Sequence, residues 1–223
     1  MLRLVAANLN YSSWSMRAWL ALKLAGASFR VFDVGLKTKE GWKDRILQFS
    51  GAGKVPVLID GALSIHESLA ICEYVHELFP EAGLWPEDRT LRARGRAISS
   101  EMASSFASLR TMMPCNLRGR AEHTPDSMAL RGELTRLFDI WEASLATSSG
   151  DFLLGNTMCI ADCMYAPVVF RLRTYGVPLT PTAERYSRAV LDHPVIVELT
   201  QLAEHEAAIE EYDRALKAPT SPG

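Results

Sequence analysis

Residues 54–80, with the sequence KVPVLIDGALSIHESLAICEYVHELFP, contain the signals that decide the fold class of this chain. Two short apolar runs, 55–59 and 62–65, flank the dipeptide Asp60-Gly61, which strongly indicates a two-residue hairpin turn. Residues 67–79 then form an apolar helical pattern that ends at a proline, which cannot continue a helix. The stretch therefore predicts two antiparallel strands followed by a helix.

The residues before this stretch alternate between strand and helix patterns. Strands are predicted over 2–7 and 29–34, and a helix over 14–25 that ends before Gly26. A weaker helical pattern covers 39–49. The order strand, helix, strand, helix, strand, strand, helix predicts a small α/β layer domain over residues 1–80.

The remainder of the chain has only helical patterns. A short polar segment with Pro86, residues 81–88, is predicted to be an interdomain linker, and 89–223 an all-α domain. Thr124 and Pro125 are predicted to cap and begin one of its helices. Helices are predicted over 91–113, from Thr124 to Leu145, over 160–175 and over 194–212.

Composition indicates an ordinary globular protein and excludes several function classes. The 223 residues are 48% hydrophobic and carry 24 basic and 26 acidic side chains, well mixed, so no basic stripe suited to nucleic acid is present. No run approaches the roughly 18 apolar residues that span a bilayer. The first ten residues lack the features of a secretion signal, and the four cysteines are scattered, so we expect a cytoplasmic protein with free thiols and no metal site.

Three polar segments could carry chemistry, and the first is Tyr11-Ser12-Ser13-Trp14-Ser15. It immediately precedes the first predicted helix, where free backbone N–H groups and the helix dipole favour an anion. The hydroxyl groups of Ser12 and Ser13 could therefore hold an anionic group. A serine that only caps the helix explains the same spacing.

The second segment is Val55-Pro56, in a run that otherwise has the pattern of a central strand. Proline cannot donate a ladder hydrogen bond, so its presence there needs a reason. A cis peptide bond would turn the backbone groups of Val55 outward, free to pair with an extended peptide-like ligand. An edge strand or a bulge is the alternative.

The third segment, residues 64–68, begins the third predicted helix. Ser64 and Glu67 have the spacing of a capping box, which is a structural explanation. Alternatively, Ser68 and the helix N-terminus could hold a carboxylate while Glu67 accepts an ammonium group, and together they would recognise the zwitterionic end of an amino acid.

These segments, in this order and before an all-helical domain, resemble the cytosolic glutathione transferases, whose N-terminal domain is thioredoxin-like. Residues 12–17, Ser-Ser-Trp-Ser-Met-Arg, are similar to the Ser-Ser-Cys-Ser-x-Arg motif of the zeta class, which includes the maleylacetoacetate isomerases. The resemblance implies that Ser12 is the catalytic hydroxyl with Ser13 beside it. It also implies that Val55, followed by the cis-proline Pro56 of the glutathione site, pairs with the cysteinyl backbone of glutathione, and that the protein is a homodimer.

By the same resemblance, Glu67 and Ser68 hold the γ-glutamyl end of glutathione. Lys54 could contact the glycyl carboxylate, although an exposed lysine needs no such role. The chain differs from the zeta pattern at Trp14, which replaces the motif cysteine, and at Thr174, where zeta members carry an arginine that holds a substrate carboxylate. Arg171 and Arg173 lie nearby at other helical angles.

Residues 159–162, Cys-Ile-Ala-Asp, resemble the family's Ser/Thr-x-x-Asp capping box, with Cys159 in place of the hydroxyl residue. The helix that begins there should therefore have a weakened cap, although Asp162 still favours its start. An electrophile pocket is expected between the domains, beside the stripe Met102, Phe106, Arg110 and Met113, although such a stripe also fits plain core.

The resulting prediction is a glutathione transferase that activates the glutathione thiol through Ser12 for attack on a small, largely apolar electrophile. A glutathione-dependent cis–trans isomerase is the first alternative. A non-catalytic binding or scaffold protein with the same fold is the second.

Overall fold

A small mixed sheet and its flanking helices form the first part of the protein. The computed structural model describes residues 1–35 and 41–217. Its first elements are β1 (Leu2–Ala6), α1 (Ser13–Leu24), β2 (Phe29–Asp33), α2 (Trp42–Leu47), β3 (Val57–Asp60), β4 (Leu63–His66) and α3 (Ser68–Leu78). The predicted order of elements is confirmed, and residues 39–40 of the predicted second helix lie outside the described residues.

The four strands lie in the order β2-β1-β3-β4. Strand β1 is parallel to β2 and antiparallel to β3, and β3 pairs with β4 across the predicted hairpin. Gly61 adopts φ 56° in that turn, a conformation that glycine enters without a steric penalty.

Alternate strand residues face opposite helices, as the two-residue period of a strand requires. Leu4 and Leu58 pack in the core that includes α1 and α3, whereas Val5 and Val57 pack with Ile46 of α2. All five side chains are fully buried, so both faces of the sheet are covered. This is the predicted thioredoxin-like arrangement.

A 3-10 turn at Pro80–Ala82 leads into the helical part. Its helices are α4 (Arg89–Ser104), α5 (Ala107–Met112), α6 (Met128–Leu145), α7 (Ile160–Thr174), α8 (Pro181–Asp192), α9 (Pro194–Glu204) and α10 (Glu210–Arg214). Helix α7 is buried along almost its whole length and packs against both α1 and α4. The apolar core is continuous from the sheet through α7 to α9. The domain boundaries at 80 and 88 stay predictions.

The long helix predicted over 91–113 is interrupted at Ser105 and Phe106. Phe106 has φ 63°, which ends α4 and redirects the chain into α5. The guanidinium of Arg110 donates to the carbonyl oxygens of Met102 and Ser105 at the end of α4. The carboxylate of Glu133 accepts the backbone N–H groups of Ser108 and Leu109, at 3.0 and 2.7 Å, at the start of α5.

Two further helix predictions were wrong in detail. Helix α6 begins at Met128 with Ser127 as its cap, and Thr124 instead donates its hydroxyl to Tyr175 O at 2.6 Å. The helix predicted over 194–212 is two helices, because α9 ends at Glu204 and α10 begins at Glu210. Helix α8 was not predicted from the sequence.

The predicted capping box at Ser64 and Glu67 was also wrong. Ser64 belongs to β4, and its hydroxyl donates to Phe49 O at 2.8 Å. Glu67 is the residue before α3 and has φ 69°, but its side chain makes no capping hydrogen bond. The carboxylate of Glu67 is therefore not used by the start of the helix.

The cap of α7 has the form expected from Asp162. Its carboxylate accepts the backbone N–H of Cys159 at 2.9 Å and that of Leu153 at 3.1 Å. Tyr186 donates its hydroxyl to the same carboxylate at 3.1 Å, which ties α8 to the start of α7. Within the described parts of the chain, none of the helices is long and apolar enough to cross a membrane.

Candidate functional site

A cleft of about 690 Å³ lies beside the N-terminus of α1 and is bordered by residues from both parts of the chain. All six residues predicted for the ligand site line it: Ser12, Ser13, Val55, Pro56, Glu67 and Ser68. They come from three separate loops that meet at the ends of β1, β3 and β4. The structure therefore brings the three segments chosen from the sequence together in one place.

Ser12 is the cap of α1. Its Oγ accepts the backbone N–H of Ser15 at 3.3 Å and lies 2.9 Å from the Ser15 hydroxyl oxygen. Either hydroxyl of that pair can donate to the other. Ser15 Oγ also accepts the backbone N–H of Ala7 at 3.1 Å, so both hydroxyl groups are held at the positive end of the helix.

Ser13 has a different partner. Its Oγ accepts a hydrogen bond from an Nη of Arg171, in α7, at 3.1 Å. The other Nη of Arg171 donates to Met113 O. Burial lowers the pKa of the Arg171 guanidinium from its ordinary value.

Val55 and Pro56 are joined by a cis peptide bond, as predicted. They precede β3 rather than lie within it, since that strand begins at Val57. Ser68, after β4, lines the same cleft, and its Oγ is buried without a hydrogen-bond partner among the described residues. Glu67 precedes Ser68 in the chain, and within residues 1–35 and 41–217 its carboxylate likewise has no hydrogen-bond or ion-pair partner.

The inner wall of the cleft is cationic. Trp14 lies between two guanidinium groups, with Arg17 at 4.4 Å and Arg110 at 5.1 Å from its ring centroid. Burial, followed by the charges of Arg110 and Arg171, lowers the pKa of Arg17 to about 9. Arg110 and Arg171 line the cleft, whereas Arg17 is buried and is not part of the lining. Because these three guanidinium groups repel one another, this side of the cleft favours a negative charge.

The apolar stripe predicted for an electrophile pocket is core except at Arg110. Met102, Phe106 and Met113 are buried in the main core and do not line the cleft. Thr174 does not line it either, because its hydroxyl donates to Asn116 O at 2.8 Å. Arg171, one helical turn earlier, does reach the cleft.

The C-terminal segment supplies lining residues that the sequence analysis missed. Tyr212 of α10 lies over Tyr11, with ring centroids 5.1 Å apart, and both line the cleft. The Tyr11 hydroxyl donates to Asp213 at 2.8 Å and accepts the backbone N–H of Ile209 at 3.1 Å. No sequence motif marks these residues, because their partners lie about 200 positions away in the chain.

The four cysteines are free and buried, and only Cys115 lines the cleft. Burial raises the pKa of the Cys115 thiol, so this thiol stays protonated at neutral pH. Residues 1–35 and 41–217 contain no group of His, Cys, Asp and Glu side chains that could hold a metal ion.

Comparison with known proteins identifies the family. The glutathione S-transferase N-terminal domain model matches residues 11–78, and the C-terminal domain model matches residues 92–192. The maleylpyruvate isomerase of Ralstonia sp is 30% identical over 186 residues, 77% of this chain and 85% of that protein. This chain belongs to the glutathione S-transferase family. The predicted family and the predicted class of enzyme are both confirmed.

Further relatives of this glutathione S-transferase carry related names. The rat (Rattus norvegicus) maleylacetoacetate isomerase is 29% identical over 185 residues, 81% of this chain and 84% of that protein. Among solved structures, a glutathione transferase homologue from Burkholderia with bound glutathione superposes with a TM-score of 0.70 at 24% identity, over 91% of this chain and 97% of that one. At this identity the structural match supports the shared fold.

Proposed function

We propose that the protein is a glutathione transferase in which the Ser12 hydroxyl activates the glutathione thiol. The observation that carries the proposal is the hydrogen bonding around Ser12 Oγ at the edge of the cleft. In the structure the Ser12 hydroxyl donates to Ser15 Oγ at 2.9 Å. When the glutathione thiol binds, this hydroxyl pair reverses, and the Ser12 oxygen accepts from both the N–H and the O–H of Ser15. Its own proton is then left for the sulfur atom.

Activation of the thiol is the chemical task of this site. A free thiol titrates near pH 8.5, so only a small fraction is thiolate at neutral pH. Each unit of pKa depression requires about 1.4 kcal/mol of preferential stabilisation of the thiolate. A hydrogen bond from Ser12 and the N-terminal dipole of α1 together are of this size. The thiolate then attacks an electrophilic carbon.

The rest of the cleft fits the tripeptide glutathione. The backbone of Val55 pairs with the cysteinyl residue, and Lys54, which also lines the cleft, stands beside it. Glu67 accepts the γ-glutamyl ammonium group, while Ser68 Oγ and the N-terminus of α3 hold the neighbouring carboxylate. The Burkholderia homologue contains bound glutathione, which supports glutathione as the ligand.

A second candidate is a glutathione-dependent cis–trans isomerase. The cationic inner wall favours it, because Arg110 and Arg171 both line the cleft and could hold a substrate carboxylate. The relatives named maleylacetoacetate isomerase and maleylpyruvate isomerase support it as well. Both candidates require the same glutathione thiolate and differ in the electrophile.

The first experiment is a titration of glutathione into the purified protein at neutral pH, followed by the ultraviolet difference absorbance of the thiolate. Wild type should show bound thiolate, and Ser12→Ala should lose it. Ser127→Ala is the matched control, because Ser127 caps α6 in the same way and does not line the cleft. Both variants should lose about 1 kcal/mol of stability.

The electrophile distinguishes the two candidates. Turnover of maleylacetoacetate or maleylpyruvate without net consumption of glutathione would establish the isomerase. Conjugation of a neutral electrophile with loss of free thiol would establish the transferase. Glutathione binding without a thiolate signal would contradict both and leave a binding protein.

We also propose a cytoplasmic location and a homodimer. The four free cysteines fit a reducing compartment, where disulfide bonds are rare. Dependence on glutathione fits the same compartment.

A further inference from the structure

Arg171 carries a buried charge for which the described residues supply no ion pair. It is 5% exposed and lies in the last turn of the buried helix α7. Its two hydrogen-bond acceptors, Ser13 Oγ and Met113 O, are both uncharged. A buried cation without a counter-charge is costly, so its presence at a cleft indicates a role towards an anion.

The hydrogen bond from Arg171 fixes the direction of the Ser13 hydroxyl. A guanidinium group has donors only, so Ser13 Oγ must be the acceptor in this contact. The single Ser13 hydroxyl proton therefore points away from Arg171. Within residues 1–35 and 41–217, this proton has no acceptor at hydrogen-bond distance, and Ser13 lines the cleft.

We propose that Arg171 is a positioning residue that acts through Ser13 on the sulfur of glutathione. It directs the Ser13 hydroxyl into the cleft, where that group donates a second hydrogen bond to the thiolate beside the one from Ser12. The positive charge behind Ser13 Oγ also makes its O–H a stronger donor. The inference rests on the proposed thiolate chemistry and adds a residue from the helical part of the chain to it.

The hydroxyl groups of Ser12 and Ser13 have separate partners, so both can donate to the same thiolate. Ser12 and Ser13 are adjacent at the start of α1, yet Ser12 hydrogen-bonds within its own loop and Ser13 with α7. Helix α7 packs directly on α1, so the Arg171 contact is held by rigid elements on both sides. One thiolate can accept hydrogen bonds from both serines.

A double-mutant cycle read as the pKa of bound glutathione tests the inference. The thiolate absorbance is titrated with pH for wild type, Ser13→Ala, Arg171→Met and the double variant. Each single variant should raise the thiol pKa by about one unit. The double variant should raise it no further than Ser13→Ala alone, because Arg171 acts through that hydroxyl group.

Arg173→Met is the matched control. Arg173 lies on the same helix and donates to Leu117 O at 2.8 Å, away from the cleft. Its replacement removes one guanidinium from α7 without touching Ser13, so the thiol pKa should stay at the wild-type value.

Additive shifts in the cycle would overturn the inference, because they would mean that Arg171 acts on the thiolate directly. An unchanged pKa in Ser13→Ala would also overturn it, and this result does not depend on whether the Arg171 variants fold. Absence of bound thiolate in wild type is a different outcome, since it removes the proposed function and this inference with it.

Discussion

Ser12 and Ser13 are neighbours in the chain, but their hydroxyl groups have different partners. Ser12 caps α1 and pairs with Ser15, while Ser13 accepts a hydrogen bond from Arg171. A serine-rich turn before a helix indicates that an anion can be held there, but it does not show which hydroxyl has a free proton. That depends on Arg171, 158 positions away.

The burial of the Arg17 guanidinium leads to a prediction for a single residue. Arg17 is buried, and one Nη has no hydrogen-bond partner among the described residues. Arg17→Met should leave the free energy of unfolding at pH 7 unchanged or raise it. Removing a buried charge that has no ion pair among the described residues offsets the loss of its hydrogen bond to Met164 O and of its contact with Trp14. Urea unfolding monitored by circular dichroism measures this.

The pH dependence of the free energy of unfolding is the control for the Arg17→Met variant. Its pKa is about 9 in the folded state, against 12.5 as the ordinary value, so between these limits the unfolded state binds more protons. The contribution of Arg17 to stability therefore rises with pH from about 9, and the variant should lack this rise. A loss of more than about 2 kcal/mol at pH 7 would instead show that the guanidinium stabilises the fold.

At the scale of whole elements, two glycines in helices give opposite predictions. A Cβ at Gly95 in α4 would stand 2.5 Å from Leu154 Cδ1 and 2.6 Å from the Trp85 ring, whereas a Cβ at Gly132 in α6 would meet nothing within 4 Å. Gly132→Ala should raise the free energy of unfolding by up to about 1 kcal/mol. Gly95→Ala should lower it by about 1 to 3 kcal/mol through overpacking.

Thermal unfolding of both glycine variants gives the measurement. Each is the other's control, because the change in helix propensity is the same and only the surroundings differ. Equal shifts of the melting temperature would show that α4 can move away from Trp85 and Leu154.

The start of α7 depends on one buried carboxylate. Asp162 accepts two backbone N–H groups and the Tyr186 hydroxyl, so Asp162→Ala should cost about 3 to 5 kcal/mol by leaving all three donors unpaired. Asp162→Asn should cost less, because the amide oxygen can still accept from Leu153 and Tyr186. Equilibrium unfolding of the two variants tests the order, and equal losses would contradict it.

The order of strands and helices could be predicted because local signals determine it, but several helix ends could not. The sequence Thr-Pro occurs at 124–125 and at 180–181. Only Thr180 caps a helix, with its hydroxyl accepting the N–H of Ala183 at 3.2 Å. Thr124 instead donates its hydroxyl to Tyr175 O. Arg110 and Glu133 stabilise the break between α4 and α5 at Phe106. These helix ends therefore depend on tertiary contacts that the local sequence pattern does not show.

At the scale of the whole molecule, hydrogen bonds join helix α10 to the loop between β1 and α1. Tyr11 bonds to Asp213 and to Ile209 N–H, and Asn116 also donates to Asp213, at 2.8 Å. Tyr11→Phe should therefore lower the free energy of unfolding by about 1 kcal/mol, because these hydrogen bonds are lost. It should leave the thiolate absorbance of bound glutathione unchanged. Thermal unfolding and the glutathione titration measure the two effects.

Tyr11 also tests the choice of the activating residue. Its hydroxyl is already occupied by the C-terminal segment, so it is not available to the sulfur atom. Loss of the thiolate signal in Tyr11→Phe, with the signal retained in Ser12→Ala, would transfer the activating role from the serine to the tyrosine.

The contact between Ser13 and Arg171 joins the sheet-containing part of the chain to the helical part. If the contact serves the thiolate, neither part holds a complete site. Recombination between relatives at residues 81–88 would then separate two residues that must change together. Hybrid chains assembled from two family members should fold on their shared architecture, but should recover full thiol activation only when both halves come from the same parent.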